Sequence, residues 1–373
     1  MPLKTVSGKH ADPRKGRGAG INPEGRFENV AREAFDDGWG SQNCAPEEEL
    51  PPLKTHVTAE RVKSIISRNK SPDIPFTQSI NPYQGCEHGC IYCYARPSHA
   101  YRNLSPGIDF ETRLFAKVNA AEALRAELSK PGYQCSVISI GANTDPYQPI
   151  ERQWKITRGI LEVCAEFNQP VGIVTKNALI ERDLDLLAPM AQKSLVNVFI
   201  SMNNLDHELA RRLEPRCSAP ARRLRAMKTV SDAGVPVGVL VAPVIPFIND
   251  DQIESALEAA WEHGARQAGY TLMRLPWEVK DLFKDWLERN YPLKAKHVMS
   301  RVHAMRGDRD NDPSFGSRMR GTGELAELLS LRFRKACARL GFNDNRMMRH
   351  HTLDTSRFLA PDQSGQMRLF GED

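Results

Sequence analysis

Residues 81–102 read NPYQGCEHGCIYCYARPSHAYR and hold three of the chain's eight cysteines, Cys86, Cys90 and Cys93, in a C-x3-C-x2-C spacing. Three thiolates this close wrap readily around one inorganic centre, and as soft ligands they select zinc, copper(I) or iron–sulfur clusters. Structural zinc wants four protein ligands, usually as two short pairs, and here Cys44, His88 or His99 would have to supply the fourth. A cubane cluster has four irons, so three cysteines leave one iron without a protein ligand. An open iron can bind and reduce a small molecule.

The rest of the composition is that of an ordinary globular chain of 373 residues, 40% hydrophobic and 26% charged, built as one large domain with appendages. No apolar run approaches the roughly 18 residues of a membrane span, and the opening MPLKTVSGKHADPRKGRGAG has no apolar core of a secretory signal. The expected location is cytoplasmic, where cysteines serve as ligands or reactive thiols more often than as disulfides. The formal net charge is +5. Residues 291–360 carry fourteen Lys and Arg against seven Asp and Glu, so the basic character gathers near the C-terminus.

Along the chain, residues 1–50 read as an extended arm rich in Gly, Pro and charge, and 51–74 as its lead-in. From about 75 to 290 strands and helices alternate. The first strand enters the cysteine loop and a helix is expected over 112–129. SVISIG (136–141), VGIVT (171–175), VNVFIS (196–201), VPVGVLVAP (235–243) and GYTLMRLP (269–276) are apolar strand-like runs, each followed by a helical pattern. Six β-then-α units of this kind argue for a parallel sheet covered by helices, either doubly wound or curved into a partial barrel. Residues 291–360 read as a basic helical extension in which the loop GDRDNDPSFGSRMRGTG offers Arg318 and Arg320 to phosphates. Residues 361–373 read as a tail.

The cysteine spacing, with Tyr92 just before Cys93, is similar to the signature of the radical S-adenosylmethionine (SAM) superfamily. The resemblance implies an open (β/α)6 barrel, a [4Fe-4S] cluster on Cys86, Cys90 and Cys93, and SAM chelated at the open iron. It also implies reductive cleavage of SAM to methionine and a 5′-deoxyadenosyl radical, fed by an electron donor such as flavodoxin or ferredoxin. Further along, TDPY (144–147), Thr175-Lys176, Ser201, EPRCSAPARR (214–223) and Ala242-Pro243 fall at the ends of successive strands, where a barrel keeps its chemistry. That ordered set resembles the spore photoproduct lyase and DNA repair photolyase-like group. Carried over residue by residue, it implies SAM contacts at Thr144, Asp145, Lys176, Ser201, Glu214 and Arg223, and radical transfer through Tyr92 and Tyr94.

One departure stands out. The lyases carry a hydrogen-donating cysteine just after the second strand, where this chain reads GANTD. Cys217, past the fourth strand near the expected barrel mouth, is the candidate substitute donor. The resemblance and the basic extension together imply action on nucleic acid, DNA first, by a lyase reaction of the repair type. Modification of RNA or protein, or a non-catalytic iron–sulfur DNA-binding factor, are the alternatives. Gln366 to Phe370, QMRLF, is similar to the peptide that docks on bacterial sliding clamps.

Overall fold

The computed structural model describes residues 16–27, 53–344 and 352–359. Its strands in chain order are β1 (His56–Glu60), β2 (Ile66–Arg68), β3 (Gln78–Ile80), β4 (Tyr83–Gln84), β5 (Arg113–Lys117), β6 (Ile138–Ile140), β7 (Val171–Thr175), β8 (Val196–Ser201), β9 (Val237–Val244) and β10 (Gln267–Leu272). Seven of them form one sheet in the order β10-β9-β8-β7-β6-β3-β2. The six from β3 to β10 run parallel, with Ile80 opposite Ile140, Ile138 opposite Val171, Val171 opposite Val196 and Val198 opposite Val237. This is the open six-stranded α/β barrel expected from the sequence, with β2 added antiparallel at the outer edge of β3.

The apolar strands stay together because helices cover them. Ala120–Leu128, Ile156–Glu166, Leu184–Gln192, Pro220–Asp232, Ile253–Glu262 and Val279–Asn290 follow successive strands. Their buried residues, such as Leu124, Ile160, Leu187, Val230 and Leu257, join the strand residues Ile138, Ile173, Val198 and Val239 in one core. Among the described residues no helix is long and apolar enough to cross a membrane.

One expectation needs correction, and two others gain detail. The helix expected over 112–129 is split: RLFAK becomes β5, parallel to β1 and antiparallel to β4. Strand pairing there overrides local helix preference, a weak term of a few tenths of a kcal/mol per residue. Residues 16–27 of the presumed arm pack against the cysteine loop: the Gly18 and Ala19 amides donate to the Glu111 carboxylate at 2.9 Å each. A side chain on Gly18 would run into the Gly89 carbonyl, so only glycine allows that approach.

The third concerns the C-terminal extension. Helix Glu324–Leu340 buries Ala326, Leu329, Phe333 and Ala336 in the barrel's own core, with Phe333 ring-to-ring against Tyr270 at 4.6 Å. Its arginines are largely engaged: Arg332 pairs with Glu254 at 2.6 Å and Arg339 with Glu258 at 2.5 Å. The loop before it closes the barrel's open side. Leu272 N–H donates to the Met319 carbonyl at 3.0 Å, covering the free edge of β10. Arg318 reaches Asp73, beside the β2–β3 edge, at 2.6 Å. Residues 352–359 lie at the other end of the barrel, where Leu359 N–H donates to the Phe167 carbonyl just ahead of β7. The tail segment Gln366 to Phe370 and Cys44 fall outside the described residues.

Candidate active site

The cysteine loop leaves β3 and is wound from tight turns. Gly89 N–H donates to the Cys86 carbonyl, Cys93 N–H to that of Cys90, and Arg96 N–H to that of Cys93. Gly89, at φ +67°, takes the left-handed conformation this winding requires. Cys86 and Cys90 are buried, Cys93 is partly exposed, and all three are free thiols. Arg96, fully buried, fastens the loop: its guanidinium donates to the carbonyls of Cys90 (2.9 Å), Gly89 (3.1 Å) and Gly107 (2.9 Å) and pairs with Glu111 at 2.5 Å.

Three free soft donors in one glycine-wound loop fit a [4Fe-4S] cluster held by Cys86, Cys90 and Cys93. The zinc alternative fares worse. His99 directs Nε2 to the Arg113 carbonyl at 2.9 Å, and His88 is engaged by Asp145 at 3.4 Å and by Asn177 at 3.3 Å. Among the described residues, no three His, Cys, Asp or Glu side chains are arranged to hold a single metal ion.

The segment after helix His207–Leu213 braces the loop from the other side. Ile91 N–H donates to the Leu213 carbonyl at 3.1 Å, and Arg216 N–H to the His88 carbonyl at 3.2 Å. This brings together Tyr92, Glu214 and Arg223, all buried: the Tyr92 hydroxyl donates to one Glu214 oxygen and Arg223 to the other. Arg223 also donates to the Ser201 carbonyl at 3.0 Å and the Ser218 carbonyl at 2.7 Å, tying β8 to this segment. Burial works to raise the Glu214 carboxyl, yet Arg223 and Lys176 hold it below its ordinary value. Burial, then Glu214, pushes the Tyr92 phenol well up, so Tyr92 keeps its proton.

Cys217 lies with its sulfur 3.8 Å from that of Cys90. Burial, then the Cys90 contact, raises its thiol well above the ordinary range. Lys176, just past the end of β7, has the charges of Glu214 and Cys90 near it, and these outweigh burial to keep its ammonium protonated.

Two of the residues matched as SAM contacts are turned inward. The Thr144 hydroxyl donates to the Tyr83 carbonyl at 2.8 Å. The Asp145 carboxylate accepts from the Thr175 hydroxyl (2.8 Å), the Lys176 amide (2.7 Å) and the Tyr147 amide (2.9 Å), and it faces His88. They pin the loop after β6 to β7 and to the cysteine loop. Ser201 is buried at the end of β8. Lys176 is the member of the set with a charged tip not taken up by such bonds.

Tyr94 points the other way from Tyr92. It is 50% exposed, its hydroxyl donates to the Ala142 carbonyl after β6, and Arg274, just past β10, lies 5.9 Å from its ring. Sequence reasoning passed over Arg96, Arg274 and the asparagines Asn203 and Asn249. Asn203 donates to the Tyr92 hydroxyl at 3.4 Å, and Asn249 donates to the Asn203 carbonyl at 2.8 Å. Arg96 lies within residues 81–102, and its signal is an arginine three residues after the last ligand.

Comparison with known proteins speaks to family and fold. The family model described as the radical SAM superfamily matches residues 80–260. An uncharacterized protein of Mycobacterium tuberculosis is 36% identical over 244 residues, covering 63% of this chain and 71% of the relative. One of Methanocaldococcus jannaschii is 27% identical over 239 residues, covering 64% and 85%. Among solved structures, spore photoproduct lyase complexed with dinucleoside spore photoproduct superposes with a TM-score of 0.57 at 15% identity, over 77% of this chain and 80% of that one. A mutant of that lyase with bound SAM and the dinucleoside gives 0.53 at 16%, over the same shares. At such identities the likeness is one of fold. With the cysteine loop, the barrel and these matches in agreement, the chain belongs to the radical SAM superfamily.

Proposed function

We propose that this radical SAM enzyme acts on DNA, in a lyase reaction of the repair type. When bound, the cluster on Cys86, Cys90 and Cys93 supplies the electron that cleaves SAM into methionine and a 5′-deoxyadenosyl radical. The chain's own residues then divide the work. Lys176 offers a cation for the SAM carboxylate, and Ser201, Glu214 and Arg223 shape the wall beside it. Thr144 and Asp145 hold that wall in position. Tyr92, sealed against Glu214, and Tyr94, open to solvent, stand on either side of Cys93.

The observation that carries the reading is this pair of tyrosines beside the ligand loop, one buried and one at the mouth. With no thiol in residues 141–145, we assign to the exposed Tyr94 the return of a hydrogen atom to a substrate radical. Cys217, with its sulfur against a cluster ligand, is better placed to act on that ligand than on a substrate. The substrate class is supported by the fold shared with a lyase whose solved complex contains a dinucleoside photoproduct. It is supported too by exposed rings stacked with arginines, Trp277 with Arg26 at 4.2 Å and Phe315 with Arg318 at 4.7 Å, since such pairs suit unpaired bases.

The test is 5′-deoxyadenosine formation by anaerobically reconstituted, reduced protein, with flavodoxin or ferredoxin as donor, with and without ultraviolet-irradiated DNA. Product that rises only with damaged DNA supports the reading. Equal product in both returns RNA or protein as substrates. No product from protein with an intact cluster favours a binding factor.

The location we propose is the cytoplasm, with a sliding clamp as partner through Gln366 to Phe370. The last described residues, 352–359, sit at the end of the barrel where the strands begin. Deleting 366–370 should then abolish binding to purified clamp, and unchanged binding dismisses the partner.

A further inference from the structure

We propose that Arg274 binds a backbone phosphate of the substrate strand, an assignment that rests on the DNA reading above. Arg274 follows β10 and faces Tyr94. Among the described residues its buried Nε has no hydrogen-bond partner, and its one side-chain bond runs to the Met319 sulfur at 3.4 Å, a weak acceptor. Among the described residues no carboxylate pairs with it.

Its neighbours deepen the imbalance. Arg318 is beside it but has Asp73 for itself at 2.6 Å. Arg306 is 2% exposed and bonded only to carbonyls, those of Leu272, Met273, Ser317 and Arg318. Burial, then Arg274, lowers the Arg306 guanidinium to about 10. Three guanidinium groups thus crowd the closed side of the barrel mouth, and for the one facing the open tyrosine the nearby carboxylate, Asp73, is already paired with Arg318. A partly buried cation left without a counter-charge is unfavourable in the free protein and is relieved by an anionic ligand.

The guanidinium fork matches a phosphate through two parallel bonds. The SAM carboxylate is the other oxyanion near this site. The groups that act on Arg274 are Arg318, Tyr94 and Asp73, whereas Lys176 has Glu214 and Cys90 about it, so the anion is assigned to the substrate.

The experiment measures binding of a labelled, ultraviolet-irradiated single-stranded oligonucleotide to the cluster-loaded protein across a salt series, with SAM affinity measured in parallel. Arg274→Gln should weaken oligonucleotide binding about tenfold at low salt. It should also lessen the slope of log K against log salt by roughly 0.7, one phosphate contact on a single strand. SAM affinity should stay the same. Arg274→Lys should keep the slope and lose part of the affinity, and it decides the matter even if the Gln variant folds poorly, because affinity equal to wild type overturns the assignment. A Gln variant that binds like wild type overturns it as well. Lost SAM affinity with unchanged oligonucleotide binding gives the anion to SAM and likewise overturns it. Wild-type protein that binds no oligonucleotide ends the DNA reading and this assignment together.

Discussion

The sulfur of Cys217 lies 3.8 Å from that of Cys90 although 127 residues separate them. A ligating cysteine is a thiolate, so Cys217 must be the donor of that S–H···S contact. A hydrogen bond to a cluster sulfur favours the reduced, more negative state. Cys217→Ala should leave a full cluster and make its reduction potential more negative. At about 1 kcal/mol for the lost bond, the shift is roughly 40 mV for a one-electron couple. A potentiometric titration followed by electron paramagnetic resonance measures it, and loss of the cluster would instead make Cys217 a ligand.

Tyr94 and Tyr92 should separate cleanly by mutation. Tyr94→Phe removes a hydroxyl at the mouth that, among the described residues, bonds only the Ala142 carbonyl, so cluster and SAM binding should survive. Formation of 5′-deoxyadenosine should continue while repaired product falls by roughly tenfold or more, as for loss of a group that acts only in the chemical step. Chromatography of both products checks this. Parallel loss of both would place Tyr94 in SAM binding.

Glu214 and Arg223 form a buried pair, at 2% relative exposure each. Arg223→Met alone strands the carboxylate and should destabilise the fold by about 3–5 kcal/mol. Adding Glu214→Gln should recover much of that, because a neutral pair leaves no buried charge. Urea unfolding of the two variants provides the comparison. Equal instability would mean that the bonds from Arg223 to the Ser201 and Ser218 carbonyls matter more than the charge.

Arg96→Gln should loosen the cysteine loop without touching a ligand. Gln cannot span the Cys90, Gly89 and Gly107 carbonyls, and it leaves Glu111 buried without its cation. Positioning shells of this kind are worth roughly 10–100-fold in metal affinity. The expected result is low iron content after limiting reconstitution, with far-ultraviolet circular dichroism retained; full iron uptake would show the loop to be self-supporting.

The sequence could be read furthest where local pattern and tertiary role coincide. VGIVT and VNVFIS are apolar because both faces are covered, and the ligand spacing is set by turns of a few residues. RLFAK could not be assigned alone, since the same letters suit a helix; only β1 and β4 make it a strand. Arg318 looked like a phosphate ligand because Asp73, its partner 245 residues away, has no local signature. Asp145 looked available for SAM for the same reason: Thr175, Lys176 and His88 claim it only once β6 and β7 lie side by side. Arg274 was invisible because what distinguishes it is a partner it lacks.

His99 gives the protein an acid-sensitive joint beside the site. Its ring is packed edge-on against Phe110 at 5.3 Å, and Nε2 meets the Arg113 carbonyl at 2.9 Å. Burial pushes its pKa down to about 4, with Arg96 adding to that effect and the Arg113 carbonyl and Asp109 opposing it. An unfolded histidine titrates near 6.5. Between those values the unfolded chain binds a proton that the folded chain refuses, so stability rises with pH across the window. This contribution is complete above about pH 6.5 and fades as pH falls towards 4, by up to about 3 kcal/mol over the whole range. His99→Gln cannot take up that proton, so its unfolding free energy should change less between pH 7 and 4.5 than that of the wild type. Urea titrations at a few pH values across the window measure the difference, and parallel curves for the two proteins would show that His99 titrates alike folded and unfolded.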